Sequence, residues 1–516
     1  MAKSSKKQGS FKLLNSIERA GNKLPDPALL FVILALITML LSFFLSRAGV
    51  AVTYEGYNSA SGQIEEMTVS VYNLLSLEGF HYMVTSFISN FTGFFPLGTV
   101  FTVIIGVSVC EGTGLLSAVL RRSVSKTPTS LLSAMVVFLG IMSNIASSTG
   151  YVVLVPLGAI IFLVSGRHPI AGLAAAYAGV SGGWTANLLL GSNDPLYAGM
   201  STQAAQTLNP NYVVQPTGNW YFMIVSTILV TVIGAYVTDK IVEPRLPKYE
   251  GSEADAITAI TPEEEKGMKA ALISLIVYVV IMLLMLIPAN GILRNPETGS
   301  VLSSPFMSAI VFFMMLLFLI PGLSFGIASG KIKSSKDVTK LMSDGIAGIS
   351  SFLVLIFWAA QFTAFFNKSN LGTILSVNGA RWLGSIGLIG IPLLILFVIL
   401  TCIINIFLPV DTAKWAMMAP IFVPMFMQLN LSPEMTQLAF RIGDSSTNII
   451  TPLMPFFPMI VAYFQKYDKK SGIGTVVSTM LPYSTFFLIA WIILLVVWYL
   501  LGLPLGPGAA IVYGGI

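Results

Sequence analysis

Charge is what this chain is short of. Only 10% of its 516 residues are Asp, Glu, Lys or Arg, against about 25% in an average soluble domain. With 55% hydrophobic residues, that scarcity excludes an ordinary water-soluble globular protein. Cysteine and histidine are equally sparse, two of each. No Cys/His cluster marks a metal centre. Cys110 and Cys402 sit far apart in apolar stretches and read as small buried hydrophobes. A cleavable signal is lacking too, since the first 27 residues are polar and basic without an apolar core. No Walker A motif is present, which argues against ATP hydrolysis by this chain. No nucleophile–base set is visible, so a membrane enzyme is the least favoured class. The net charge of +5 is loop charge of a membrane protein and implies no nucleic-acid partner.

What the chain has instead is long apolar runs. A membrane span needs roughly 20 mostly apolar residues. Spans are expected near 28–46, 95–119, 170–200, 220–238, 270–288, 305–328, 345–366, 436–464 and 476–501. Two further apolar stretches, near 130–165 and 385–428, are interrupted by small, polar or proline residues. Each is either two short spans or one re-entrant hairpin; parity allows both, and the shortness of the halves argues for hairpins. Many of the 45 glycines and 27 prolines lie inside the apolar runs, as in membrane helices that bend or break where neighbours re-satisfy the backbone. The fold class expected is therefore an all-α integral membrane protein of about nine spans plus two re-entrant hairpins.

Basic residues set the expected sidedness. Lys3, Lys6, Lys7, Lys12, Arg19 and Lys23 crowd the N-terminus, whereas the loop 47–80 has Arg47 alone against four glutamates. Lysine and arginine favour the cytoplasmic side. Residues 1–27 are thus read as a cytoplasmic tail, 28–505 as the transmembrane domain, and the Lys- and Arg-free residues 506–516 as an external tail. Arg121, Arg122 and Lys126, then Lys331, Lys333, Lys336 and Lys340, then Lys466, Lys469 and Lys470 mark cytoplasmic turns. The loops at 191–219 and 289–304 are read as external. His81 falls in the external loop region and His168 at a cytoplasmic turn, and neither is given a role.

An internal repeat is legible at an offset of 264 residues. "YVVLVPLGAIIF" (151–162) falls on "WAMMAPIFVPMF" (415–426), so Tyr151 meets Trp415, Pro156 meets Pro420 and Phe162 meets Phe426. Further on, Pro169 meets Pro433, Gly179 meets Gly443 and Ser181 meets Ser445. The halves, about 93–200 and 345–464, share the order span, hairpin, broken span, and enter from opposite sides. The remaining spans, 28–46, 220–328 and 476–501, form a scaffold. Inverted-topology repeats place substrate and ion sites at mid-membrane, on hairpin tips and unwound helix segments. Four breaks are candidates: "SNIASSTG" (143–150), "SGGWTANLLLGSNDP" (181–195), "NIFLPVDTAKW" (405–415) and "RIGDSSTNIITP" (441–452).

Charges inside those segments are conspicuous, because one at mid-bilayer costs about 2.5–3.5 kcal/mol on insertion scales. They are Asp194, Asp411, Lys414, Arg441 and Asp444. Arg441 and Asp444 share a face if their segment stays helical. They are read as a self-satisfying structural pair or as an anion-binding arginine beside a cation- or proton-responsive carboxylate. Lys414 is a snorkelling side chain or a hairpin-tip charge. Glu111, near Arg121, is read as interfacial.

The stretches "ERAGNKLPDPALLFVIL" (18–34), "GYVVLVPLGAIIF" (150–162), "GRHPIAGLAAAYAGVSGGWTANLL" (166–189), "AKWAMMAPIFVPMFM" (413–427) and "GDSSTNIITPLMPFFP" (443–458) resemble the p-aminobenzoyl-glutamate transporter (AbgT) family. The resemblance runs from about residue 12 to 505. It implies a homodimer in the bacterial inner membrane, with nine spans and two hairpins. It also implies uptake of p-aminobenzoyl-glutamate or ion-driven export of sulfonamides. By matching motif it implies substrate contacts at Thr412 (where the family has serine), Trp415, Pro433, Arg441 and Pro452; Ser148 and Thr149 are expected contacts by their place at the first hairpin tip. It implies ion coupling at Asp194, Asp444 and Asn405, with sodium at Asn405 and Asp444 or else a proton. No cofactor is implied. The chain departs from the family at Ser148-Thr149-Gly150-Tyr151, where an aspartate often precedes the Gly-Tyr, and at Pro409-Val410-Asp411, where glycine and serine are expected.

The expected function is secondary-active transport of p-aminobenzoyl-glutamate and related aromatic carboxylates or sulfonamide-type antimetabolites, driven by a proton or sodium gradient. The alternatives are a sodium-coupled carrier of other dicarboxylates or small peptides, and a passive anion channel, since interrupted hairpins also build selectivity filters.

Overall fold

The computed structural model describes residues 25–58, 63–125, 128–146, 150–247, 249, 260–301 and 304–514. The basic N-terminus, Lys126, Ser148 and Thr149 lie outside them. Helix α1 (Pro27–Arg47) starts on an Asp26 cap that accepts from the Ala28 amide, with Pro27 in its first turn. The following loop holds a small antiparallel hairpin, β1 (Ala51–Asn58) and β2 (Gln63–Ser70), with Val52 opposite Val69. These strands depart from the all-α expectation. The Thr53 and Thr68 hydroxyls, opposite one another, bond across the pair at 2.8 Å. His81 lies on a short helix, Leu77–Thr85, and not in a loop.

The first half follows as α2 (Phe95–Gly112), α3 (Leu115–Ser125), α4 (Leu132–Ser143), α5 (Val155–Val164), α6 (Pro169–Tyr177) and α7 (Asn193–Ala205). Glu111 is half-buried near the end of α2. Scaffold helices α8 (Trp220–Val237), α9 (Pro262–Leu286) and α10 (Ile310–Ala328) come next. The second half is α11 (Ser335–Gly348), α12 (Ser350–Lys368), α13 (Leu371–Ser385), α14 (Gly390–Phe407), α15 (Asp411–Met427), α16 (Pro433–Asn448) and α17 (Phe457–Tyr467), closed by α18 (Ile473–Leu500).

Among the described residues, seven helices are long and apolar enough to cross a membrane, and α2 with α3, bent by 60°, makes eight. One of the seven, α14, is a hairpin arm. The two broken spans, α6 with α7 and α16 with α17, have halves too short to pass alone, and adding them gives nine crossings. The sequence expectation of an external loop over 191–219 is corrected here: 193–205 is helix α7. The apolar surface faces outward. Helix α9 buries only Gly267 and Ala271 while Leu272, Ile273, Ile276 and Leu284 are exposed, as lipid contact requires.

Both interrupted stretches are re-entrant. Hairpin 1 is α4 and α5, and its two ends meet where Arg167 Nη1 donates to Ser133 Oγ at 2.9 Å. Hairpin 2 is α14 and α15. Its start, Gly390, lies beside the Tyr499 hydroxyl, and its end continues to Leu431, which bridges to Val512 of the C-terminal tail. Length would not have separated this hairpin from a crossing, since α14 has 18 residues. Helix α8 shows that the hairpins open on opposite faces. At its start the amides of Tyr221 and Phe222 donate to Leu505 O of the tail. Beyond its end, Asp239 and Glu243 hold Arg167. Eighteen residues separate the two ends by about 27 Å. At the Arg167 face His168 caps α6, its Nδ1 accepting from the Ile170 amide at 3.2 Å. Burial pushes its pKa below 6.5 against the pull of Glu243 and Asp468, which keeps that acceptor neutral.

The matched residues have matched roles. Pro169 and Pro433 each open a helix, where the missing N–H costs nothing. Gly179 and Gly443 are where each broken span touches the incoming arm of its own hairpin. A Cβ on Gly179 would stand 2.3 Å from Val137 O, and one on Gly443 would stand 2.5 Å from Val398 O. Backbone-to-backbone approach of this kind is how small residues hold membrane helices together. Gly443→Val should therefore push hairpin 2 off α16 and cost roughly 1–3 kcal/mol or more in overpacking. Thermal melting of the purified protein measures this, and an unchanged melting temperature would show that the contact is dispensable.

Candidate transport site

Helix α16 carries a polar sequence, PEMTQLAFRIGDSSTN, yet all 16 of its residues are buried. A polar helix surrounded by protein inside a membrane domain has to be satisfied by partners from elsewhere in the fold. Those partners come from the first half and from the tip of hairpin 2.

Arg441 pairs with Asp194. Its Nη2 donates to Asp194 Oδ1 at 2.7 Å and to Thr185 O at 3.4 Å, with both side chains almost fully buried. The other carboxylate oxygen, Oδ2, accepts from the Gly191 amide at 2.7 Å, beside the first turn of α7, where the helix dipole favours an anion. The guanidinium lies over the Tyr197 ring, 5.2 Å from its centroid. Its Nε and Nη1 are buried and have no hydrogen-bond partner among the described residues.

Asp444 pairs with Lys414. The Lys414 ammonium donates to Asp444 Oδ1 at 2.6 Å and to Asn405 Oδ1, and lysine and aspartate are both wholly inaccessible. The Asn405 amide in turn donates to Asp444 O, Thr447 Oγ1 and Asn448 Oδ1 at 2.8–2.9 Å. Asn448 Nδ2 donates to Asp444 Oδ2 at 3.2 Å. Asn405 ends one arm of hairpin 2 and Lys414 begins the other, so this cluster ties both arms to α16.

Two sequence expectations are corrected here. Arg441 and Asp444 do not pair with each other, although they are three residues apart on one helix; each takes its partner from a different element. Lys414 does not snorkel: it stands beside the tip of hairpin 2, where Asp444 and Asn405 hold it in the interior.

Asp411, at the tip of hairpin 2, reaches the opposite repeat. It accepts from Trp184 Nε1 at 2.8 Å, from Asn193 Nδ2 at 3.3 Å and from the Tyr197 hydroxyl. Thr412, buried beside it, offers its amide to Asp411 Oδ1. Thr185 Oγ1 and Ser445 Oγ bond at 2.6 Å, and Ser201 Oγ donates to Gln437 Oε1 at 2.7 Å. Apart from the Thr412 amide bond, these contacts cross between the halves. Thr185, Trp184, Tyr197, Ser201 and Gln437 were not singled out from the sequence. The first two lie in the break "SGGWTANLLLGSNDP", so their segment was legible and their individual roles were not.

The other expected residues are placed as follows. Trp415 is fully buried, its Nε1 donating to Ser201 Oγ at 3.1 Å and its ring 4.6 Å from that of Phe440. Phe440 thus lies against the indole that was expected to contact a substrate. Pro433 is at the start of α16, eight residues before Arg441 and about 12 Å away along the helix. Pro452 is half-buried in the break after α16. Trp415→Ala should lower the melting temperature with no substrate present, by an amount equivalent to roughly 3–5 kcal/mol. A melting curve unmoved by the substitution would mean that Trp415 is held for the ligand alone.

The sodium expectation can be tested on donors and acceptors. A cation at Asn405 and Asp444 would coordinate Asn405 Oδ1 and Asp444 Oδ1, and both oxygens already accept from the Lys414 ammonium. The residues do not fit sodium in this conformation.

Nine crossings, two oppositely entering hairpins and a buried polar site between two broken spans define a multi-pass membrane transporter. Residues 12–513 match the family described as "AbgT putative transporter family", and the chain belongs to it. It is 40% identical over 499 residues to the p-aminobenzoyl-glutamate transport protein of Escherichia coli K12, with 97% of each chain covered. Its structure is similar to that of the YdaH transporter of Alcanivorax borkumensis, with TM-score 0.88, 41% identity, and 94% of this chain and 100% of the other covered. It is also similar to MtrF of Neisseria gonorrhoeae, with TM-score 0.91, 46% identity, and 96% and 100% covered. MtrF is described as illuminating a class of antimetabolite efflux pumps.

Proposed function

We propose that this protein is a secondary-active carrier of p-aminobenzoyl-glutamate and related aromatic carboxylate anions, or of sulfonamide-type antimetabolites. It is energised by a proton or sodium gradient and works as a homodimer in the bacterial inner membrane, with its N-terminus inside and its C-terminus outside. The relatives' printed substrate and efflux role support the choice of ligand class.

The observation that carries this reading is the state of Arg441. One of its terminal nitrogens holds Asp194, and its remaining nitrogens, Nε and Nη1, have donors without acceptors among the described residues. Buried donors left open cost free energy, and a substrate carboxylate is the group that would satisfy them. Tyr197 and the Trp184 indole beside Asp411 add aromatic surface for a ligand ring. Asp194, bonded to the same guanidinium, is placed to transmit ion occupancy to substrate affinity.

Proteoliposomes holding the purified full-length protein test the reading, with proton and sodium gradients imposed separately. Saturable uphill movement of radiolabelled p-aminobenzoyl-glutamate under one of them is the expected result. Non-saturating flux that never runs uphill would make the protein a channel. Uphill flux of other dicarboxylates or small peptides, with none of p-aminobenzoyl-glutamate, would assign a different cargo.

A further inference from the structure

The Lys414 ammonium stands where a coupling cation is expected, and its placement is not that of an incidental ion pair. Lys414 lies in the first turn of α15, the end of a helix that disfavours positive charge. It is also completely buried, and desolvating an ammonium costs several kcal/mol unless it is paired. Both penalties are offset by one cluster: Asp444 Oδ1 at 2.6 Å, the Asn405 carbonyl oxygen, and the Phe440 ring with its centroid 5.6 Å away. The Asp444 carboxylate and the Asn405 amide oxygen, from α16 and α14, would form the core of a monovalent-cation site if the lysine were absent. Asp444 supplies the charge, and the Asn405 and Asn448 side chains lie within hydrogen-bond reach of it or of each other.

The occupied oxygens decide what such a site can hold. Asp444 is already matched by the Lys414 ammonium, as Asp194 is by Arg441. A Na⁺ placed there would have to share Asn405 Oδ1 and Asp444 Oδ1 with the ammonium that is bonded to both. We propose that Lys414 is a tethered resident cation that fills the Asn405–Asp444 site and excludes sodium from it while hairpin 2 is docked on α16. This rests on the carrier reading above and narrows it: the pair of residues expected to couple sodium is already served by the chain itself.

The test reads cation binding and needs no substrate, so failure of the substrate assignment leaves it intact. Purified full-length protein is melted in sodium chloride and in choline chloride at equal ionic strength. The unmodified protein should melt at the same temperature in both and show no saturable binding of radioactive sodium. Lys414→Met removes the ammonium and keeps much of the side-chain volume, leaving Asp444 without a counter-charge. That variant should melt lower in choline, recover in sodium, and bind sodium at least about tenfold more tightly than the unmodified protein, since specific ligation of the folded state raises its stability. Asp444→Asn in the Lys414→Met background should abolish the sodium effect. A sodium-specific rise in the unmodified protein that Asp444→Asn removes would overturn the proposal. So would a Lys414→Met variant that folds and is indifferent to sodium. Lys414→Gln is the second variant should the methionine form not fold. Direct sodium binding to the unmodified protein decides the matter if neither does: saturable binding lost in Asp444→Asn overturns the proposal, and absence of binding supports it.

Discussion

Arg441→Ala should abolish transport of p-aminobenzoyl-glutamate and destabilise the protein by roughly 3–5 kcal/mol, the usual cost of removing one partner from a buried ion pair. The stability loss comes from Asp194, whose Oδ1 would lose its 2.7 Å partner. It does not come from Asp444, which has its own lysine. Arg441→Lys keeps the charge but loses the planar fork, so it should retain most of the stability and still weaken substrate binding roughly tenfold or more. The double variant Arg441→Ala with Asp194→Ala separates structure from function. It removes both charges, so melting should recover towards that of the unmodified protein while transport stays absent. Recovered transport would reduce Arg441 to a structural counter-ion. The assays are differential melting and uptake into proteoliposomes, read on the same preparations.

The second large effect belongs to Asp444. Asp444→Ala strands a lysine of zero exposure beside the positive end of its helix dipole, and again roughly 3–5 kcal/mol is at stake. Asn405 would remain as the ammonium's partner, and a neutral oxygen does not replace a carboxylate. The melting temperature should fall sharply and transport should disappear. Replacing the pair by apolar residues of similar volume, Lys414→Met with Asp444→Leu, should recover most of the stability, because well-packed hydrophobic replacements of buried pairs are often neutral or better. Transport should not return, since the Asn405 cluster would keep neither its carboxylate nor its ammonium. If Asp444→Ala melts like the unmodified protein, the cluster does not anchor hairpin 2 and its energetic reading is wrong.

These two pairs also show where sequence reasoning stops. Arg441 and Asp444 were visible as expensive charges in one segment, and their i, i+3 spacing invited a local pair. That inference used the only geometry a sequence offers, the helical repeat. Inside this membrane domain each charge is better served by a partner from another element. Asp194 is 247 residues from Arg441, and Lys414 is 30 residues from Asp444. Trp415 was likewise visible as a large aromatic at a hairpin, and its face against Phe440 and its bond to Ser201 were not.

The sequence by itself determined the membrane class, the spans, the two interrupted apolar stretches and the repeat. These follow from apolar run length, from scarcity of charge and from prolines and glycines at a constant offset, all of which are local or periodic properties of a chain. Gly179 and Gly443 show how far that reaches, since both could be paired in sequence before either was seen against the arm of its hairpin. Only the tertiary structure decided that Arg441 answers to Asp194 and Asp444 to Lys414. It also decided that hairpin 2 re-enters although its first arm is long enough to cross. The reason is physical. A buried charge must find an opposite charge wherever packing brings one, and which helices pack together is fixed by close approach of backbones rather than by distance along the chain.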